Sequence, residues 1–352
     1  MTYIDGIDKI GKEKYEAFNK EHGNVMQSVG WAKVKKNWEN KQVAIYNEKE
    51  EIVAIASILI KRFPLGYCMY YIPRGPIADK VEDVATLLNQ IRIHAKADNC
   101  VFIKFDPYIL DNEFTKKAGR PNGHNTLAVD ILTKGVDAIH KGYTMTIEET
   151  VQPRTTMGIK PIEGFEKNYA RDTRRKMKKA NQANLTYEVR TKDDLMADDG
   201  FLITFANLMH KTEERNSVVL RNEGYFRDIM NNVEGAVIGF AKTEDGDYVS
   251  GNLCILYGKR MEMLYMGNDI ELCRKTEGSR FLYDKMFHYA QSKGIEYCDM
   301  GGVEGSLEDG LANHKNSYGG IVREYIGEFD LPVRPWLYKM ILPIYERKTG
   351  NR

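Results

Sequence analysis

A lysine set just beyond a glycine-rich strand end can steady the negative charge of a tetrahedral intermediate. Lys315 stands in Leu311-Ala312-Asn313-His314-Lys315-Asn316-Ser317-Tyr318-Gly319-Gly320, shortly after Met300-Gly301-Gly302-Val303. Alone, that is a weak signal for an oxyanion donor. A more pronounced feature is Arg171-Asp172-Thr173-Arg174-Arg175-Lys176-Met177-Lys178-Lys179, with six basic residues and one acid in nine positions and a local charge near +5. Helix formers dominate it, so Arg171, Arg174, Arg175, Lys176, Lys178 and Lys179 are expected to form a basic ridge that neutralises the phosphates of a polyanion. A nucleic acid or a phospholipid suits so one-sided a run; a merely solvated face is the plain alternative.

Three other groupings could touch phosphate. In Trp31-Ala32-Lys33-Val34-Lys35-Lys36-Asn37-Trp38 a helix would place Val34 and Trp38 on the face of Trp31, holding lysines such as Lys35 on its flanks. A solvated charged face is the simpler reading of that segment. Arg221 follows Glu214-Arg215 and precedes Tyr225-Phe226, which suits a bidentate phosphate grip, with structural salt bridging as the alternative. Arg274-Lys275-Thr276-Glu277-Gly278-Ser279 precedes an expected helix where backbone N–H groups could cradle pyrophosphate. Its single glycine and its acid make it a poor phosphate nest. The seven histidines lack ligand spacing, and there is no Walker A or Rossmann glycine motif. No metal, no cofactor, no ATP-driven ligase and no dehydrogenase is therefore expected.

The 51 Lys+Arg against 50 Asp+Glu give a net charge of +1. That neutral total conceals the ridge, because the other 343 residues sum to about −4. With 42% hydrophobic and 29% charged residues over 352 positions, a globular chain of two domains is expected. Five scattered cysteines without a C-x-x-C pair argue against a disulfide framework or a zinc site and fit a reduced setting. The N-terminus is acidic where a signal peptide would be basic, and no apolar run approaches ~18–20 residues. A soluble, cytoplasmic protein is expected.

Behind these residues stands a pattern of elements that appears twice. Gln42–Tyr46 and Ile52–Ile60 read as hairpin strands, followed by Tyr67–Ile72, the break Pro73-Arg74-Gly75-Pro76, a helix carrying Val81, Val84, Leu88, Ile91 and Ala95, and the strand Cys100–Phe105. Residues 236–299 repeat the order: Ala236–Lys242, Val249–Leu256 and Arg260–Met266 as strands, a polar loop containing Gly278, a helix over about 279–293, and the strand Ile295–Met300. Between the halves, Leu127–Leu132 reads as a strand. In the tail, Glu324–Leu331 reads as a strand and Trp336–Arg347 as a helix interrupted at Pro343. Mixed α/β halves of this order suggest two related acyltransferase-like domains.

W-A-K-V-K-K-N-W (31–38), Y-I-P-R-G-P-I-A-D (71–79), F-D-P (105–107) and R-E-Y-I-G-E-F-D-L (323–331) occur in an order that resembles the FemABX family, aminoacyltransferases of the peptidoglycan interpeptide bridge. The resemblance covers roughly residues 20–340. It implies an α/β (α+β) fold of two acetyltransferase-like (GNAT) domains whose mixed sheets flank a cleft. The first would comprise residues 1–153 plus 324–352 and bind the acceptor; the second, 154–323, would handle aminoacyl-tRNA and carry the catalytic lysine. By resemblance, Lys35 and Arg221 are phosphate ligands for the acceptor and Tyr225 and Tyr265 are further acceptor contacts. Lys315 matches the lysine of an F-K-x-x-F motif that here reads His314-Lys315-Asn316-Ser317-Tyr318. The stretch 166–184 is too short for the long helical arm of some members, so the chain resembles the compact, arm-less type. The implied partners are aminoacyl-tRNA and UDP-MurNAc-pentapeptide or its lipid-linked form.

An aminoacyl ester is already activated, so such a transfer needs no ATP site. A side-chain amine with an ordinary pKa of about 10.4 must shed a proton before or during attack. Asp106 is a candidate base, with the leaving ribose hydroxyl or the substrate itself as alternatives, and Lys315 a candidate oxyanion donor. Two rival readings stand beside this one: an acyl-CoA-dependent N-acyltransferase, and a non-enzymatic RNA-binding protein using the ridge.

Overall fold

The computed structural model describes the backbone of residues 1–216 and 221–349 and the side chains of these residues except 213–216 and 344–349. The chain forms two compact units: Met1–Thr156 with Gly302–Glu308 and the segment from Val322 onward, and Met157–Gly301 with Asp309–Ile321.

The first unit is built on an eight-stranded mixed sheet. Its strands run in the order Thr2–Asp5, Glu39–Tyr46, Ile52–Arg62, Cys68–Ile72, Cys100–Phe105, Phe329–Pro332 and Ile139–His140, with Ile77–Ala78 pairing onto Ile52–Arg62. All pairs are antiparallel except one: Cys68–Ile72 and Cys100–Phe105 lie parallel through Ile72–Phe105. Parallel neighbours need a crossover, and the helix Val81–Ala97 supplies it. Glu82 and Asp83 occupy its first turn, and Val84, Leu88, Ile91 and Ala95 are buried at three- and four-residue spacing. They join Ile58, Tyr70, Ile103 and Phe105 in one apolar core.

The second unit repeats the scheme. Thr186–Arg190, Ala236–Lys242, Tyr248–Tyr257, Arg260–Asn268, Tyr297–Gly302 and Thr155–Ile159 are neighbours in that order. The helix Gly278–Ser292, which buries Leu282, Met286, Phe287 and Ala290, is the crossover to the parallel strand Tyr297–Gly302.

Several local expectations are corrected. Leu127–Leu132 is no strand but part of the helix Thr126–Val136; Asn125 caps it by accepting the Ala128 N–H at 3.2 Å, and Ala128, Leu132 and Val136 form its buried stripe. A six-residue window was too short to reveal that period. The strand expected over 324–331 is two, Ile321–Tyr325 and Phe329–Pro332, separated where Gly327 adopts φ +98°. The helix expected over 31–38 ends at Val34: Lys35 leaves helical geometry, and a turn closed by Trp38 N–H to the Lys35 carbonyl at 2.9 Å follows. The loop before Gly278 contains the helix Ile270–Thr276, capped by Asp269. The terminal helix Pro335–Thr349 continues through Pro343.

Candidate functional site

Lys315 sits on the short helix Gly310–Asn316, which Asp309 starts by accepting the Leu311 and Ala312 N–H groups at 2.7 and 2.9 Å. Its place follows from the sheet. Parallel pairing between Arg260–Asn268 and Tyr297–Gly302 covers only Arg260–Tyr297, Met261–Cys298 and Glu262–Asp299. Gly301, at φ +85°, lies just past the last pair, and a Cβ added there would stand 3.7 Å from the Lys315 Nζ and 3.8 Å from the Met263 carbonyl oxygen. The ammonium therefore lies beside Gly301, beyond the paired stretch of the two strands. Lys315 is only 4% exposed, and burial pulls its pKa down to about 8 against the opposing pull of Asp299 and Asp309. A buried cationic donor beside a glycine is suited to a developing oxyanion. Neither carboxylate was singled out from the sequence; Asp309 was legible only as a helix N-cap signal, Asp-Gly before Leu311.

In the same unit the structure gathers three of the residues expected to bind acceptor. The helix Glu223–Asn232 is capped by Asn222, which accepts the Tyr225 N–H at 3.1 Å. Arg221 lies just before it, with its guanidinium carbon 5.2 Å from the centre of the Tyr225 ring. Tyr225 meets Tyr265 edge-on at 6.2 Å, and Phe226 meets the same ring at 5.5 Å. Burial raises the Tyr225 hydroxyl above its ordinary range. Tyr265 follows a register shift opposite Leu253–Cys254, the kind of bulge that re-aims side chains. Gly267 allows the helix Gly200–Asn216 to press on this strand: a Cβ would fall 2.7 Å from the backbone of Leu208 and Met209. The side chains of Glu214 and Arg215, the start of that motif, lie outside the described residues.

The basic run forms the helix Arg171–Gln182, burying Thr173, Met177 and Ala180 and exposing its charges. Arg174 donates to the Tyr169 carbonyl at 2.6 Å, Lys179 to that of Arg274 at 3.1 Å, and Asp172 holds Arg175 at 2.7 Å and Lys176 at 3.0 Å. Arg171, Arg174, Arg175 and Lys178 line an open hollow of about 790 Å³. A second cleft, about 930 Å³, is lined by Arg274, Ser279, Arg280, Tyr283 and His314. Burial, then the positive charges of Arg280, Lys315 and Lys176, push His314 down to about 4, so the imidazole is neutral. Gly278 at the edge of this cleft serves packing, since a Cβ there would strike Val249 at 2.3 Å. That is a reason other than phosphate for its glycine.

Asp106 and Lys35 belong to the first unit. Asp106 follows the strand Cys100–Phe105, as Pro73-Arg74 follows its parallel neighbour, so the two meet at the strand ends. The Arg74 N–H donates to Asp106 Oδ1 at 3.0 Å, while Oδ2 is buried without a hydrogen-bond partner. Burial raises the carboxyl to about 7 against the attraction of Arg74, with Glu328 adding to the rise. Arg74 itself, missed at the sequence level although it stands in Y-I-P-R-G-P, is held at φ +52°. Asn24 donates to its carbonyl at 2.9 Å, its guanidinium lies 4.4 Å from the Tyr325 ring centre and donates to the Pro153 carbonyl at 2.6 Å. Left-handed backbone at a non-glycine residue needs such over-determination. Lys35 is the C-cap of the helix Val29–Val34, its ammonium 4.6 Å over the Trp31 ring.

The chain as a whole is similar to known proteins. The chain is 27% identical to the lipid II:glycine glycyltransferase of Staphylococcus saprophyticus over 420 aligned positions, covering 97% of this chain and 96% of that one. It is 24% identical to the UDP-N-acetylmuramoylpentapeptide-lysine N(6)-alanyltransferase of Weissella viridescens over 352 positions, covering 96% and 98%. The crystal structure of FemX superposes with a TM-score of 0.83 at 24% identity, over 97% of this chain and all of that one. A tandem GNAT protein from the clavulanic acid biosynthesis pathway superposes at 0.51 with 9% identity, over 95% and 99%. The fold is thus that of two acetyltransferase-like domains. The FemAB family model matches residues 10–249 and 234–346, and the chain belongs to the FemAB family.

Proposed function

We propose that this protein transfers an amino acid from aminoacyl-tRNA to the side-chain amine of a peptidoglycan precursor stem peptide. The observation that carries the reading is the buried Lys315 ammonium beside Gly301. The acceptor amine attacks the ester carbonyl, the new C–N bond forms, and the ester C–O bond breaks. Lys315 steadies the oxyanion between these events. The acceptor ammonium first sheds one proton to a base, for which Asp106 is the candidate, and the attacking nitrogen's second proton goes to the departing ribose oxygen. Lys35 and Arg221 are assigned to acceptor phosphates, and Tyr225 and Tyr265 to other acceptor contacts. The ridge Arg171, Arg174, Arg175, Lys176, Lys178 and Lys179 is assigned to tRNA phosphates. On this reading Lys35 of the first unit and Arg221, Tyr225 and Tyr265 of the second serve the acceptor, and the second also carries the tRNA ridge and Lys315.

The acceptor is UDP-MurNAc-pentapeptide or its lipid-linked form. The alignment with the glycyltransferase needs 420 positions, more than the 352 residues present, which supports the compact type. Incubation with charged tRNA and muramoyl pentapeptide, followed by mass spectrometry, tests the proposal: the pentapeptide should gain one amino-acid residue. Transfer from acyl-CoA instead would establish the N-acyltransferase alternative, and tRNA binding without transfer the RNA-binding one.

A further inference from the structure

The terminal helix Pro335–Thr349 packs Leu337 and Tyr338 into a cluster with Ala32, Leu59, Met69 and Phe102. Its opposite face carries Trp336, Met340 and Pro343 at i, i+4 and i+7, all exposed. Trp336 is 64% and Met340 63% exposed, and Trp336 is the only exposed aromatic among the described residues. Against the same cluster pack Phe63 and Tyr67, the two ends of a loop whose tip is Leu65. Leu65 stands at φ +65° and 93% exposed. Isolated exposed apolar residues are ordinary; a helical stripe plus a loop-tip leucine rooted in one cluster is not.

Charge around this cluster has one dominant sign. Lys33, Lys36, Lys61 and Lys339 are all exposed. Lys61 lies 5.6 Å over the ring of Trp38, which packs on the cluster, Lys33 lies in the last turn of the short helix that contributes Ala32, and Lys36 follows that helix. The nearby acids Glu39 and Asp98 are both engaged by Arg62 at 2.8 Å. Exposed tryptophan with lysines at its margin is complementary to the headgroup region of an anionic bilayer. No helix among the described residues is long and apolar enough to cross a membrane.

We propose that Trp336, Met340 and Leu65, together with these lysines, dock the protein peripherally on an anionic phospholipid surface. The proposal does not depend on the aminoacyl-transfer reading. It is tested by flotation with phosphatidylglycerol–phosphatidylcholine vesicles, with tryptophan emission as a second readout. The protein should float with these vesicles and not with pure phosphatidylcholine, with a blue shift in emission. The double variant Trp336→Ser/Met340→Ser should lose about tenfold or more in vesicle affinity at an unchanged melting temperature, because both side chains are exposed. Lys61→Gln/Lys339→Gln should weaken binding only to the anionic vesicles. Failure of the unmodified protein to float, or equal flotation of the Trp336→Ser/Met340→Ser variant, would overturn the proposal. So would sedimentation showing a dimer that Trp336→Ser abolishes, which would assign the face to a second copy of the chain.

Discussion

Replacing Lys315 with methionine should slow amino-acid transfer by about 10²–10³-fold and at the same time make the protein more heat-stable. The rate follows from losing one preorganised donor to the oxyanion, worth about 2.7–4 kcal/mol. The stability follows from burial, which lowers the lysine from 10.5 to about 8. That difference amounts to on the order of 3 kcal/mol held against the fold whenever the group is protonated. Below pH 8 the lysine is charged in both folded and unfolded chains, so the penalty is complete. Between pH 8 and about 10.4 the unfolded chain binds more protons, and the penalty fades as pH rises. Methionine removes it, the attraction of Asp299 and Asp309 being already counted in that net shift, and imperfect packing of the thioether offsets part of the gain. A net gain of about 1–2 kcal/mol at pH 7 would raise the melting temperature by roughly 3–6 °C, and that rise should shrink toward pH 10.

Single-turnover transfer with preformed charged tRNA and saturating acceptor, followed from pH 6 to 9.5, measures the first effect. If Lys315 acts as the proposed cationic donor, the wild-type rate should fall as pH rises through about 8. The acceptor amine becomes a better nucleophile over the same range, so a fall there cannot come from the acceptor; spontaneous ester hydrolysis is subtracted from an enzyme-free control. An unchanged single-turnover rate in Lys315→Met would refute the donor role. A wild-type profile that keeps climbing past pH 9 would refute the cationic form as the active one.

Asp106, raised to about 7, accepts protons only when ionised, so kcat/KM should climb with pH up to about 7 before the fall that Lys315 sets at about 8; if Asp106→Asn retains that climb, another group is the base. Lys35→Ala and Arg221→Ala should each weaken acceptor binding by about 10–100-fold in calorimetry, from the loss of a charge-assisted phosphate contact. Equal affinity in both variants would remove the assignment. On the ridge, Arg171→Gln and Lys178→Gln should each lower the slope of log affinity for tRNA against log salt by about 1. Salt-insensitive tRNA binding by the unmodified protein would exclude the ridge as the contact.

Periodicity made the duplicated order of strands and the two crossover helices legible, because Val84, Leu88, Ile91 and Ala95 or Leu282 and Met286 repeat over many residues. It failed where signals were short. Leu127–Leu132 shows an apolar run but not its continuation to Val136, and Trp31–Trp38 looks helical until Lys35 breaks the geometry. The gathering of Arg221, Tyr225 and Tyr265 across a bulge depends on strand register, which no spacing in the sequence encodes. Arg74 went unnoticed because nothing local marks an arginine whose conformation is fixed by Asn24, Asp106 and Pro153 from elsewhere in the chain.

The two units share a topology and use it oppositely. In the first, the parallel strands pair to their last residues, Ile72 and Phe105, and the space beyond is filled by buried Arg74, Asp106 and Tyr325. In the second, the parallel pairing stops after Glu262–Asp299, with Gly301 and the Lys315 ammonium just beyond it. Lys315 there is a buried cation, a cost to folding. The first unit buries a cation at the matching point too, but engages the Arg74 guanidinium with the Tyr325 ring and the Pro153 carbonyl; on the proposed reading it is Lys315, beside a glycine in the second unit, that is placed to meet a reacting group.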